Sequence, residues 1–161
     1  ARLLRADTAG RILALRIGGN DLLALLGIRR PRHCTIYRTP LGAVIGRLVT
    51  LFRPYGFALT APVFEYLDAP ELLEQELAED LVHGLVGKTA IHPGQVALID
   101  EHYRVHDHDY EMATRLLAAD SPAVFRMHDA MCEVATHRGW ATDILQRARV
   151  FGLRLRGGSA A

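Results

Sequence analysis

One stretch of the sequence decides the predicted fold: Arg16-Ile17-Gly18-Gly19-Asn20-Asp21-Leu22-Leu23. The apolar run that ends at the two glycines predicts a short buried strand, and the leucines after Asp21 predict a helix. Asp21 is thereby placed at the C-terminal end of a strand in a β/α unit, where α/β folds collect ligands and catalytic groups. A plainer interpretation is also open, because Asn20 or Asp21 in this position can simply cap the helix.

Length and composition are those of one domain with a sizeable core. The chain has 161 residues, half of them hydrophobic, and a formal net charge of +1. Its basic residues are spread along the chain, so we expect no nucleic-acid partner, and no apolar run approaches the roughly 20 residues of a membrane span. The separate cysteines Cys34 and Cys132 are typical of a reducing compartment, so we expect a cytoplasmic protein. The chain has no initiator methionine, which predicts a fragment or a processed chain.

The remaining pattern alternates strands and helices and then becomes mostly helical. Strands are predicted at 12–17, 57–64 and 88–91. Helices are predicted at 1–9, 21–26, 40–53, 70–83, 94–103, 109–119, 122–134 and 142–151. Between them, 29–33 is predicted as a basic loop, 34–37 as a short strand or an extended segment, 137–140 as a turn packed by Trp140, and 157–161 as a flexible tail.

This order of elements predicts an α/β fold. Strands separated by helices imply βαβ crossovers and a parallel sheet. Three strands cannot close a barrel, so they belong either to an open sheet or to the last portion of a TIM (β/α)8 barrel. We assign residues 1–104 to the β/α units and residues 105–161 to a C-terminal helical extension of the same domain.

Three predicted strand ends deliver polar side chains to one edge, namely Asp21, Glu65 and His92. Carboxylate oxygens are ligands that Mg2+ accepts together with water and substrate oxygens. A histidine at the same edge can bind a substrate carboxylate or transfer a proton. Each residue also has a structural interpretation: Glu65 can be a solvated loop residue, and His92 can hydrogen-bond the backbone to fix the strand end.

Two other features are less decisive. Arg16 interrupts an apolar strand, where it needs a carboxylate partner in the core or, if that face lines a barrel interior, an anionic ligand. His102 and His106 have the spacing of one helix face, but the segment lacks the H-E-x-x-H pattern and is polar enough to be exposed, so a metal site there is the weaker interpretation. Walker, dinucleotide-binding and G-x-S-x-G signatures are absent from the sequence.

Several motifs resemble one family. Gly18-Gly19-Asn20-Asp21-Leu22 resembles the G-x-x-D-L motif of the citrate lyase β-subunit-like branch of the HpcH/HpaI aldolase superfamily, and residues 87–95, Gly-Lys-Thr-Ala-Ile-His-Pro-Gly-Gln, resemble its late G-K-x-x-I-H-P-x-Q motif. Residues 38–42, 61–65 and 137–141 are similar to the C–C bond lyase subgroup of bacterial tellurium-resistance-type stress clusters. The resemblance spans nearly the whole chain.

The resemblance implies a TIM barrel that holds Mg2+ and catalyses aldol-type C–C cleavage or condensation of an oxo-acid or acyl-CoA thioester. Asp21 matches the metal-binding Asp of the motif, whereas the family's metal-binding Glu and an earlier substrate-binding Arg would precede Ala1. Arg16, Gly18, Gly19, Glu65 and His92 are the candidates for substrate contacts, and no catalytic residue is assigned. Related enzymes commonly form oligomers, so we expect a homo-oligomer or association with the missing part of the barrel.

Two other interpretations remain open. The chain alone can be a non-catalytic half-barrel or interaction module that needs a partner chain, since half a barrel exposes sheet edges and an apolar face. The isolated fragment would then be inactive. An unrelated open α/β ligand-binding domain is the third interpretation, and the two ordered motifs argue against it.

Overall fold

The computed structural model describes residues 10–154, and the predicted helix at 1–9 and tail at 157–161 lie outside these described residues. The chain divides into two compact units between His102 and Tyr103. We call them the N-terminal unit and the C-terminal unit and describe each by itself.

Parallel strand pairing organises the N-terminal unit. Strand β1 (Ala14–Arg16) pairs in parallel with strand β2 (Ala58–Thr60), and Ala61 forms a parallel bridge with Lys88. The first two predicted strands are therefore confirmed in place and are shorter than expected. The third, at 88–91, is reduced to that single bridge, because the backbone turns at once into a 3-10 helix, Pro93–Gln95.

Four α-helices follow or separate these strands: α1 (Gly19–Leu25), α2 (Pro40–Phe52), α3 (Pro70–Val82) and α4 (Val96–Tyr103). The predicted start of α2 is confirmed, since the Thr39 hydroxyl accepts a hydrogen bond from the Leu41 amide at 3.2 Å and Pro40 opens the helix. Residues 34–37 form neither of the predicted structures, because Ile36–Arg38 is a 3-10 turn that leads directly into that cap.

The core of the N-terminal unit lies between the strand pair and α2. Its buried members are Ile17, Leu23, Ile36, Leu41, Ile45, Leu59, Ala61 and Leu85. Two apolar side chains at the ends of these elements are exposed: Leu13 is 90% exposed beside β1, and Val82 is 84% exposed at the last turn of α3.

The C-terminal unit contains two helices and a hairpin. Helix α5 (Asp107–Leu117) is followed by antiparallel strands β3 (Val124–Met127) and β4 (Ala130–Glu133) and then by α6 (Val134–Phe151). The predicted helix at 122–134 is therefore wrong. The predicted turn at 137–140 is also wrong, because those residues lie inside α6 and Trp140 remains 37% exposed.

Packing of α5 against α6 and the hairpin closes a second core. It consists of Val105, Ala113, Leu116, Cys132, Ala141 and Ile144. His128 and Asp129 connect the hairpin strands with φ angles of 48° and 60°, a left-handed turn formed without glycine. Within residues 10–154, no helix has the length and apolar character that crossing a membrane would require.

Candidate active site

Asp21 lies in the first turn of α1, directly after the C-terminal end of β1, and it is exposed. The predicted capping role is wrong, because Gly18 occupies the N-cap position and neither Asn20 nor Asp21 does. A carboxylate in the first turn still interacts favourably with the helix dipole. Asp21 is therefore an accessible anionic oxygen donor at the edge where the sequence places the site.

The two glycines before Asp21 leave space that side chains would fill. A Cβ on Gly18 would lie 2.7 Å from the Asp21 carboxylate oxygen Oδ2, so the carboxylate folds back over this glycine. A Cβ on Gly19 would lie 2.6 Å from Cβ of Pro62, which follows β2. Gly18 thus admits the Asp21 side chain, and Gly19 lets the start of α1 approach the neighbouring strand end.

A cleft of about 670 Å³ opens at this edge of the sheet. One wall comes from α1 through Asn20, Leu23 and Ala24, a second from the loop at 28–32, and a third from residues 65–68. We call it the strand-end cleft. It combines apolar surface with charged groups at its rim, a composition suited to a small molecule that has both apolar and anionic parts.

The rim of the strand-end cleft carries two ion pairs. Arg29 Nε lies 3.8 Å from Glu65 Oε1, and Arg32 Nη1 lies 3.1 Å from Asp68 Oδ2. The hydrogen bond and charge of Arg32 hold the pKa of the Asp68 carboxyl below its usual range. Glu65 is thus half-buried and paired with Arg29, so the prediction of a fully solvated loop residue is wrong.

A buried charge cluster lies behind the cleft, centred on Glu76 of α3. The Glu76 carboxylate forms salt bridges with Arg30 Nη1 and, at 3.1 Å, with Lys88 Nζ, and it accepts a hydrogen bond from the Ile36 amide at 3.0 Å. Lys88 also lies 3.0 Å from Asp80 Oδ2. Two cations and two carboxylates therefore balance in a region without solvent, which is the condition for burying charge.

Asp80 is the member of this cluster whose pKa responds most clearly to burial. Loss of solvent raises the pKa of its carboxyl group, although the Lys88 ammonium and the Tyr37 hydroxyl, which donates to Oδ1 at 2.5 Å, act in the opposite direction. Desolvation disfavours the charged form of an acid. Asp80 is therefore a buried carboxyl group held by Lys88 and Tyr37.

His92 lies at the start of the Pro93–Gln95 turn and is exposed, and its Nδ1 accepts a hydrogen bond from the Gly94 amide at 3.1 Å. This is the structural interpretation that the sequence offered, and the ring remains accessible for a substrate contact. Arg16 is exposed in β1, so its predicted pairing inside the core is wrong.

Histidines in the C-terminal unit come close together without forming a metal site. The rings of His106 and His108 stack at 5.5 Å between centroids, and His108 meets His128 at 6.2 Å. Across residues 10–154, no three His, Cys, Asp or Glu side chains are arranged to hold a metal ion. The described residues therefore do not form a complete metal site by themselves.

Sequence reasoning missed the buried side chains that support this edge. Arg30 lies in the predicted basic loop and Glu76 and Asp80 in the predicted helix at 70–83, and all three side chains are buried. The available signal was Lys88, the only lysine of the chain, in a predicted strand. A lysine in a strand requires a buried counter-charge, and α3 offers two carboxylates on one face.

Comparison with known proteins agrees with this architecture. The family model described as C–C bond lyase of the TIM-barrel fold matches residues 1–153. CitE from Mycobacterium tuberculosis, solved in complex with magnesium, acetoacetate and coenzyme A, is similar at 24% identity with a TM-score of 0.64, over 85% of this chain and 52% of that one. A citrate lyase from Burkholderia xenovorans LB400 is similar at 21% identity with a TM-score of 0.66, over 94% of this chain and 50% of that one.

These comparisons determine the fold and its extent. The chain spans about half the length of the two solved structures. Its parallel strands are thus part of a TIM barrel, as the sequence predicted, and helices follow them. A search of the curated proteins found no match to the chain.

Proposed function

Because the chain belongs to the C–C bond lyase family of the TIM-barrel fold, we propose that it contributes one part of the active site of a carbon–carbon lyase. The observation that carries the proposal is the place of Asp21, an exposed carboxylate at the C-terminal end of β1 whose neighbour in sequence, Asn20, lines the strand-end cleft. In barrels of this fold, catalytic groups come from the C-terminal ends of several strands. We propose a cytoplasmic enzyme on the basis of its unpaired cysteines.

Asp21 would hold Mg2+ with a second carboxylate from the part of the barrel that this chain does not span. A single accessible carboxylate fits a cation that keeps several waters and takes further oxygens from its substrate. When bound, the metal supplies Lewis-acid stabilisation of negative charge on a substrate oxygen. Gly18 supports this role, because it leaves the space into which the Asp21 carboxylate folds.

The substrate would be an oxo-acid or an acyl-thioester such as an acyl-CoA. The apolar surface of the strand-end cleft suits an acyl or pantetheine chain, and the guanidinium groups of Arg29 and Arg32 suit a carboxylate or phosphate. The similar CitE was solved with acetoacetate and coenzyme A. Arg16, Gly19, Glu65 and His92 are the remaining candidates for substrate contacts at this edge.

A second candidate function is that of a half-barrel that binds a partner chain without catalysis. It is favoured by the open side of the sheet: within the described residues β1 pairs only with β2, and Leu13 beside it is 90% exposed. An unpaired strand edge and exposed apolar side chains favour association. The partner would be the remaining part of the barrel, or a second copy in a homo-oligomer.

Substitution of Asp21 separates these functions. The experiment uses the full-length protein. There, Asp21→Asn should weaken Mg2+ binding at least about tenfold, because it removes the charge that attracts the cation. It should also abolish Mg2+-dependent C–C cleavage. Gly18→Ala should weaken Mg2+ binding less, since it only displaces the carboxylate. Isothermal titration with Mg2+ and a cleavage assay with oxo-acids and acyl-CoA thioesters provide the measurements.

The matched control is Asp109→Asn, the same change in the first turn of a helix, α5, that belongs to the C-terminal unit. It should leave Mg2+ binding and activity unchanged. Full activity and normal Mg2+ affinity in Asp21→Asn would refute the assignment. A wild-type protein that neither binds Mg2+ nor cleaves any of these substrates, yet associates with a separately expressed barrel half, would establish the second function instead.

A further inference from the structure

Three consecutive backbone carbonyls in the segment that follows β2 each accept a hydrogen bond from the buried side chain of a distant residue. The pairs are Lys88 Nζ to Pro62 O at 2.7 Å, Arg30 Nη2 to Val63 O at 2.7 Å, and Gln95 Nε2 to Phe64 O at 2.8 Å. The donors come from three different segments of the N-terminal unit. The segment is thus fixed by side chains rather than by a strand partner.

This replacement of strand pairing has a clear physical reason. Regular pairing of β2 ends near Ala61, and the next residue, Pro62, has no amide hydrogen to continue a ladder. Carbonyl groups that leave a sheet inside a protein still need donors, because a buried unpaired carbonyl costs free energy comparable to a lost hydrogen bond. Lys88, Arg30 and Gln95 supply those donors.

The three donors are themselves held in place. Glu76 binds both Arg30 and Lys88, so neither cation is buried without a counter-charge. The Gln95 side-chain oxygen accepts from the Ile91 amide at 3.0 Å, which orients its NH2 group toward Phe64. Each donor side chain is therefore held in its orientation by a second contact.

The fixed segment leads directly into residues 65–68, which form one wall of the strand-end cleft. The Tyr66 hydroxyl donates to the carbonyl of Arg30, so this wall is also joined to the loop at 28–32. A displacement of the three carbonyls would move Glu65 and Asp68 with them. Glu65 is the candidate substrate contact that depends most directly on these anchors.

We propose that Lys88, Arg30 and Gln95 are positioning residues that hold residues 65–68 as the ligand-facing wall of the cleft, an inference that rests on the proposed function for the identity of the ligand. Lys88 and Gln95 are the Lys and Gln of the 87–95 motif. Part of that motif therefore supports the neighbouring strand end instead of contacting the reacting atoms.

Gln95→Met tests the proposal, because Met has a similar length but no amide to donate. Ile45→Val is the control, since it removes one buried methylene from the core of the N-terminal unit and none of the hydrogen bonds to the carbonyls of residues 62–64. In Gln95→Met, amide hydrogen exchange of residues 63–68 should accelerate at least about tenfold relative to the rest of the N-terminal unit. Isothermal titration with coenzyme A should show a Kd raised about tenfold, in line with the cost of misplacing a binding group. The control should show neither selective change.

The outcomes are distinct. Uniform acceleration across the N-terminal unit would overturn the proposal, because it would mean general destabilisation. Selective acceleration with an unchanged Kd for coenzyme A would also overturn it, since the anchored wall would then not face the ligand. A wild-type protein that binds neither coenzyme A nor acetoacetate contradicts the proposed function, and the exchange pattern alone then decides whether these side chains anchor the segment.

Discussion

The two units of this chain use charged side chains in opposite ways. Among residues 10–154, the buried polar or charged residues all lie in the N-terminal unit; they are Arg30, Thr35, Glu76, Asp80, Lys88 and Gln95. The C-terminal unit closes an apolar core and keeps its ion pairs near solvent, as in the exposed pair of Arg126 and Asp129. Buried charges are costly and rarely improve stability over apolar packing. Their concentration in one unit is consistent with the site proposed there, whereas the C-terminal unit is stabilised mainly by its apolar core.

Removing one charge from each unit should produce the largest difference in stability between the two units. Glu76→Gln leaves Arg30 and Lys88 buried with one counter-charge fewer, and breaking a buried ion pair costs about 3–5 kcal/mol. Asp129→Asn removes an exposed partner of Arg126 at a position where Asn tolerates the positive φ angle, so unfolding free energy should change by less than about 0.5 kcal/mol. Urea unfolding followed by circular dichroism measures both, and equal losses would contradict the contrast.

Glycine-to-alanine substitutions in the two units should change the free energy of unfolding in opposite directions. A Cβ on Gly42 in α2 would lie 2.0 Å from the Tyr37 carbonyl oxygen, so Gly42→Ala should destabilise by about 1–3 kcal/mol as the loop before the helix shifts. Nothing lies within 4 Å of the corresponding atom at Gly139 in α6, where Ala should stabilise by about 0.5–1 kcal/mol. Thermal unfolding of the two variants gives the measurement, and stabilisation by both would show that the Gly42 contact relaxes without cost.

The sequence predicted the elements of the N-terminal unit because their signals are local. Gly18-Gly19 after an apolar run, Thr39-Pro40 before an amphipathic helix, and Pro62 after a second run each fix a boundary within a few residues. The resemblance then identified the barrel. The charge cluster escaped prediction because its partners are distant: Arg30 and Glu76 are 46 residues apart. Helical periodicity assigns acidic residues to the solvated face unless such a partner is known.

The C-terminal unit was misread for a different physical reason. The hairpin of β3 and β4 contains Met127, Ala130 and Met131, residue types that favour helices, and its turn lacks the Asn-Gly or Asp-Gly signature of two-residue hairpin loops. His128 and Asp129 adopt positive φ angles instead. The hairpin packs Phe125 and Cys132 against the helices, so tertiary packing overrides local propensity.

The smallest effect expected here concerns how two acids of the N-terminal unit respond to pH. Burial raises the folded-state pKa of Asp80 above 3.8, so between pH 3.8 and that raised pKa the folded chain holds a proton that the unfolded chain has released. The contribution of Asp80 to the free energy of unfolding is therefore fully present below pH 3.8. It is lost as the pH rises through the raised pKa. Asp80→Asn cannot lose it, so the variant should gain stability relative to wild type as pH increases through this window.

The stability contributed by Asp68 should depend on pH in the opposite direction. Arg32 lowers the folded-state pKa of Asp68, so the stability contributed by this pair is present above pH 3.8 and is lost as pH falls through the lowered value. Asp68→Asn should therefore lose stability relative to wild type at neutral pH and recover it in acid. Urea titrations from pH 3 to pH 7 measure both differences. If the stability differences of Asp80→Asn and Asp68→Asn change with pH in the same direction, burial does not determine the pKa of Asp80. The buried cluster then responds to pH like the exposed ion pairs.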